Sequence, residues 1–205
     1  MDTTPDAYPL TFDVDYPDTL NRWTTAFRFI FIIPLVLLLA VLGSSTIGVR
    51  FLLLGETSIV FLPTVALLVL RHKYPRWWFD FGLGLLRLEA RITSYVFLLR
   101  DEYPSVDDEQ HVHLAVPYPN ADPDLNRWLP LVKWLLAIPH YIVLFFLDLA
   151  AWIVAIIAWF AILFTGRYPE SMFRFVVNVL RWNLNVAAYA ILLTTDRYPP
   201  FRLAS

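Results

Sequence analysis

The sequence predicts an all-α integral membrane protein: two tandem repeats of a transmembrane helical hairpin plus an amphipathic interfacial helix, with short β-strands at the membrane surface. Three observations predict it. A phrase occurs twice, as Asn21-Arg22-Trp23 with Pro34 thirteen residues after the Asn, and as Asn126-Arg127-Trp128 with Pro139 at the same spacing. Each copy opens an apolar run of membrane length. The composition is also that of a chain in lipid, 58% hydrophobic and 17% charged with a mean hydropathy of +0.56, well to the apolar side of soluble domains.

The echo extends beyond the phrase. Arg28 and Lys133 each fall seven residues after their Asn, and Tyr16-Pro17 and Tyr118-Pro119 precede the two copies. Lys73-Tyr74-Pro75 is answered by Arg167-Tyr168-Pro169, Leu86-Arg87 by Leu180-Arg181, Tyr95 by Tyr189, and Leu98-Leu99 by Leu192-Leu193. An internal duplication governs any fold that follows. It divides the chain into 1–106 (a short N-terminal strand, a hairpin over 23–70, an amphipathic helix over 76–99) and 107–205 (a strand over 111–116, a hairpin over 128–164, an amphipathic helix over 171–193).

Before each phrase the chain alternates. Leu10, Phe12, Val14 and Tyr16 interleave with Thr11, Asp13 and Asp15, and Val112, Leu114 and Val116 with His111, His113 and Ala115. That is the period of a strand with one wet face, and a small sheet built from both repeats is expected. Tyr103 to Val106 and Tyr198 to Leu203 are further extended candidates, their prolines favouring edges.

Trp23 to Leu42 is nearly all apolar, and twenty residues at 1.5 Å each cover roughly 30 Å, the thickness of a hydrocarbon core. Arg22 and Arg28 lie at its start, where long side chains snorkel to headgroups. Gly43-Ser44-Ser45 and Gly48 form a turn, and Phe51 to Leu70 is a second span interrupted by Glu56 and Pro63. In the second repeat, Trp128 to Leu147 and Leu149 to Phe164 make the equivalent pair, with Asp148 at the turn. That hairpin is short, so it crosses a thin bilayer or inserts as a wedge.

The third element of each repeat differs in kind. Asp80, Gly84, Arg87, Arg91 and Ser94, and again Arg174, Asn178, Arg181 and Asn185, fall on one narrow stripe of an otherwise apolar helix. If these helices lie flat, Arg127, Lys133, Arg167 and Arg174 share a side with Arg22, Arg28, Arg71 and Lys73, as the positive-inside rule prefers. Four spans, two surface helices and cytoplasmic termini follow.

Phe164-Thr165-Gly166-Arg167-Tyr168-Pro169, Leu180-Arg181-Trp182, Ala188-Tyr189, Leu192-Leu193-Thr194 and Tyr198-Pro199-Pro200-Phe201 together resemble a bacterial membrane family, domain of unknown function 4389 (DUF4389). The first repeat looks like a degraded copy, with Glu102-Tyr103-Pro104-Ser105 in place of Tyr-Pro-Pro-Phe. The resemblance implies a helical membrane protein and brings no activity, cofactor or catalytic residue.

The chemistry is sparse. A net charge of -2 argues against nucleic acid as a partner, and the lack of cysteine removes disulfides, thiol catalysis and thiolate metal sites. The first twenty residues carry five Asp and no basic residue, so no cleaved signal is expected. No phosphate loop, nucleophile elbow or zinc-protease motif is present, and no catalytic, cofactor-binding or metal residue is assigned. His111 and His113 share a strand face near Glu109, but two ligands are too few for a metal. His72 and His140 are read as boundary residues, and Tyr-Pro pairs and tryptophans such as Trp182 as interfacial anchors.

The remaining candidates are lipid-headgroup or polar-stripe contacts by Arg22, Arg28, Arg87, Arg91, Arg127, Lys133 and Arg181, and two acids, Glu56 and Asp148, at span ends. Arg87, Arg181 and Asp148 would line the path if the protein conducted a solute. The expected function is that of a non-enzymatic accessory or scaffold subunit of a larger membrane complex, in the bacterial inner membrane, with lipids and a complex or homo-oligomer as partners. A small channel or transporter and a membrane-shaping hairpin protein are the alternatives.

Overall fold

A computed structural model describes residues 8–41, 60–105, 108, 110–121 and 125–203. Glu56, the turn over 43–48, most of the expected second span, Asp107 and Glu109 lie outside the described residues. The element order is β1 (Thr11–Val14), α1 (Arg22–Val41), α2 (Phe61–Ala66) continuing as a π-helical turn (Leu67–Arg71), α3 (Arg76–Val96), β2 (Val112–Ala115), α4 (Pro130–Leu136), α5 (Ile138–Thr165) and α6 (Glu170–Ala190). The described residues are thus mostly helical, with one small sheet.

The sheet joins the two halves. β1 pairs antiparallel with β2, with Phe12 opposite Leu114 and Asp13 opposite His113. Phe12, Val14, Val112 and Leu114 are buried, while Thr11, Asp13, His113 and Ala115 face out, as the alternation requires. The other extended candidates, Tyr103 to Val106 and Tyr198 to Leu203, form no strand among the described residues.

The duplicated phrase is a helix start. The Asn21 side-chain oxygen accepts from the Trp23 amide at 2.9 Å directly ahead of α1, as a capping Asn does for otherwise unpaired donors; that of Asn126 accepts from the Trp128 amide at 3.0 Å in the turn that leads into α4, which starts only at Pro130. At the other ends, Gly166 (φ 74°) and His72 (φ 49°) take the left-handed conformation that stops a helix. Leu98 (φ 64°) and Leu193 (φ 59°) do the same after α3 and α6. A left-handed leucine is strained by about 1–2 kcal/mol, which burial of both side chains offsets at about 2 kcal/mol each. Counted from Tyr95 and Tyr189, Leu98 falls on Leu192, but in backbone conformation it matches Leu193, so the two halves are out of step by one residue here.

The expected hairpin over 128–164 is absent. Ile138–Thr165 is one unbroken helix of 28 residues, and the ladder runs into it from α4 through Ala137 N–H to Lys133 O (2.9 Å) and Tyr141 N–H to Ala137 O (3.0 Å). Asp148 therefore sits within α5 and not at a span end. Its carboxylate accepts from the Asn183 amide of α6 at 2.9 Å, and no Gly or Pro stands beside it to turn the chain. Pro139, by contrast, occupies the first turn of α5, where its missing N–H does no harm.

β1 packs on α6 and β2 on α3, while α5 packs on α6 and α1, and α1 also meets α3. α6 is thereby sandwiched between the strands and α5. Helix α5 has two faces. His140, Leu144, Ala151, Ala155, Ala158 and Ile162 are buried along it, and Ile142, Phe146, Ile153, Ile156, Phe160 and Phe164 are exposed along the other side. The fully buried Ala158 leaves no room for extra methylenes. Ala158→Leu is expected to lower unfolding free energy by about 1–3 kcal/mol through overpacking, read by denaturant titration in detergent. Among the described residues α5 is the one helix long and apolar enough to cross a membrane, with mean hydropathy 2.5 over its most apolar stretch.

Candidate functional site

The two basic positions seven residues past each Asn are the most deeply buried charges described. Arg28 is 1% exposed and Lys133 0%, so neither reaches headgroups as their place near the start of a span suggested. The reason is tertiary: each finds the carbonyl-rich C-terminal end of an amphipathic helix. Arg28 forms an ion pair with Asp101, donates to the carbonyls of Tyr95 (2.8 Å) and Arg100 (3.1 Å), and lies 4.4 Å from the Tyr95 ring centre. Lys133 pairs with Asp196 at 2.7 Å, donates to the Thr195 carbonyl at 2.7 Å, and lies 5.1 Å from the Tyr189 ring centre.

The same aspartates hold the two repeated Asn residues. The amide of Asn21 donates to Asp101 at 2.6 Å and that of Asn126 to Asp196 at 2.5 Å. Each latch thus joins the start of one helix to the chain just past another with a buried cation, a carboxylate, an aromatic face and backbone carbonyls. Charge buried in this way is tolerated because each cation has a carboxylate and backbone carbonyls beside it, although Arg28 Nε itself has no hydrogen-bond partner. Asp101 and Asp196 were not singled out from the sequence, although both follow the duplicated Leu-Leu pair.

A second set of contacts crosses between the halves. Tyr16 donates to the carbonyl of Tyr168 and Tyr118 to that of Tyr74, both at 2.5 Å. The Tyr16 ring meets Phe173 edge-on at 5.0 Å, and the Tyr118 ring meets Phe79 at 5.2 Å. Arg181 Nε donates to Phe12 O (2.9 Å) and Arg87 Nε to Leu114 O (3.2 Å), so the mid-helix arginines hold strand carbonyls of the opposite half. The Leu20 amide donates to Gly166 O at 2.9 Å, and Arg127 donates to Val69 O (2.7 Å) and Leu70 O (3.2 Å). Tyr118→Phe, which removes one of these bonds, is expected to lose about 1 kcal/mol of stability, again by denaturant titration.

The other candidates divide. Arg91 donates to Ser105 O, and the exposed Arg22 lies against Gly166, within 4 Å of where a Cβ there would stand. His111, just ahead of β2, pairs with Glu102, and His113 pairs with Asp15, so the two histidines have separate partners. No group of three or more metal-ligating side chains occurs among the described residues. His72 bonds Leu125 O at 3.0 Å. His140 and Trp182 are core residues and not boundary ones: the indole N–H donates to His140 Nδ1 at 3.0 Å, and Phe201 stacks on the imidazole at 3.9 Å. Tyr74 and Tyr168 are likewise buried, and burial pushes both hydroxyls above the ordinary tyrosine range.

Burial alone would raise the Glu102 carboxyl, but hydrogen bonds from Arg100 and the His111 amide outweigh it and hold the group below its ordinary value. A depressed carboxylate stabilises the fold above its unfolded pKa, and that contribution is lost as pH falls through the folded value. Stability is therefore expected to fall on acidification below the carboxylate range, and Glu102→Gln to flatten that part of the profile.

Between α1 and α5 runs a groove of about 240 Å³ lined by Ile32, Val96, Leu98, Trp152, Trp159 and Phe160, with Arg28 at its wall. It is smaller than the roughly 300–1,000 Å³ of typical small-molecule sites, and its lining is almost wholly apolar.

Residues 128–202 match the family model described as "Domain of unknown function (DUF4389)". The DUF4389 stretch holds the whole second latch except Asn126, together with α4, α5 and α6. Residues 1–127, including the first latch and both strands, lie outside it. No curated protein and no solved structure matches the chain.

Proposed function

We propose that the chain is a non-catalytic integral membrane protein built from two copies of the DUF4389 unit, serving as an accessory or scaffold subunit of a larger membrane complex. The observation that carries the membrane reading is the outer face of α5, where Ile142, Phe146, Ile153, Ile156, Phe160 and Phe164 are all at least half exposed. A surface of that size calls for lipid or apolar protein. Two copies are supported by the latches and by the crossing tyrosine and mid-helix arginine bonds, each of which has its counterpart in the other half.

The scaffold reading is supported by where the polar side chains are committed. Arg28, Lys133, Arg87 and Arg181 each hold backbone carbonyls and fix helices to strands or to chain ends. A bacterial inner membrane with cytoplasmic termini suits the placement of basic residues. Purification from native membranes in mild detergent is expected to bring a constant set of partners; a chain always recovered alone would end the scaffold proposal. The channel alternative draws less support, since Arg87, Arg181 and Asp148 are bound to Leu114, Phe12 and Asn183. Reconstituted vesicles are expected to show no added flux of ions or small solutes.

A further inference from the structure

We infer that the chain engages a single leaflet: α3 and α6 lie parallel to the bilayer plane, the sheet faces water, and the Arg-Trp pairs that open the two halves rest in one anionic headgroup layer. The inference builds on the membrane reading above. It follows from the placement of the sheet between two ends of the fold.

At one end stand Trp23, at the start of α1, and Gly166, joined by the Leu20 amide bond, with Asp101 on Asn21. At the other stand Trp128 and Arg127, bound to Val69 and Leu70, with Asp196 on Asn126. Helix α6 runs from just past Gly166 to just before Asp196, and its 21 residues cover roughly 30 Å. That length equals the hydrocarbon thickness. Upright, α6 would put Trp23 and Trp128 on opposite surfaces; flat, it puts them on the same one.

The strands decide between these. Arg181 and Arg87 are each the twelfth residue of a 21-residue helix, and they bind Phe12 and Leu114, which face each other in the ladder. The sheet is therefore centred over the midpoints of α3 and α6. Its outer side carries Asp13, His113 and Asp15, whose side chains are 72%, 62% and 49% exposed. Upright helices would hold these charges, and the two edges of a two-stranded sheet, at the bilayer centre, where neither is tolerated. Flat helices put them in water.

α5 completes the picture from the far side of α6. It begins beside α4, whose start is at the Trp128 end, and finishes at Gly166, at the Trp23 end, so its exposed apolar face runs along the layer. Trp23, Trp77 and Trp128 are 75%, 69% and 64% exposed, each preceded by an Arg. An exposed indole beside a cation suits an anionic headgroup layer.

The chain has no cysteine, so single-cysteine variants Trp23→Cys, Trp128→Cys and Ala115→Cys report cleanly when sealed native vesicles of one orientation meet an impermeant maleimide. All three are expected to react from the same side. Labelling of Trp23→Cys and Trp128→Cys from opposite sides overturns the inference and leaves the membrane reading standing. A chain that stays soluble without detergent would instead remove the membrane reading. Oriented circular dichroism of the unsubstituted protein in planar bilayers containing anionic lipid gives an independent readout. Helices in the bilayer plane are expected, and helices along the normal overturn the proposal.

Discussion

Asp101→Asn is expected to destabilise the fold by about 3 kcal/mol, because it leaves the Arg28 guanidinium buried without its carboxylate. Removing one partner of a buried pair typically costs about 3–5 kcal/mol. The lower end applies because the Asp101 side chain is 26% exposed and water can reach part of the site. Tyr95 and Arg100 carbonyls would still accept from Arg28, but neutral acceptors do not balance a charge. Arg28→Met combined with Asp101→Asn is expected to recover most of the loss, since both charges then leave together. Asp196→Asn, alone and with Lys133→Met, is expected to repeat the pattern. Denaturant titration in detergent measures all four variants, and equal losses for single and double variants would show that the ion pair contributes nothing.

Cleavage of the connector between Ser105 and His111 is expected to leave the two fragments bound to each other. The crossing contacts require it. β1 of the first fragment pairs with β2 of the second, Tyr16 reaches Tyr168 and Tyr118 reaches Tyr74, and Arg181, Arg87 and Arg127 all hold carbonyls of the opposite half. With a protease site inserted at the connector, both fragments are expected to elute as one species in mild detergent and to part only on denaturation. Separation on simple cutting would mean that each strand packs on its own half, contrary to the packing of β1 on α6 and β2 on α3.

Much of the local structure was legible because it rests on local periodicity. The alternation of Leu10 to Tyr16 and of Val112 to Val116 specifies strands with one buried face, and both are found. The repeated Asn was legible as part of a duplicated phrase, but not its bond to the amide two residues on, which in the first copy caps α1. The expected turn at Asp148 failed for a physical reason: a lone acid in an apolar run signals a span end only when no partner is within reach, and Asn183 is. Arg28 and Lys133 misled in the same way, since a long cation near a helix start reads as a headgroup ligand unless a distant carboxylate is known.

The amino-acid sequence by itself determined the repeated phrase, the long apolar run that became α5 and the strand alternation, because each is set by residues a few positions apart. Only the tertiary structure decided that each strand docks on a helix of the other half, β1 on α6 and β2 on α3, that Asp101 and Asp196 neutralise the buried cations, and that the sheet sits over the middle of two helices. Those contacts join residues such as Tyr16 and Tyr168, 152 positions apart, and nothing in the local pattern of either residue specifies its distant partner.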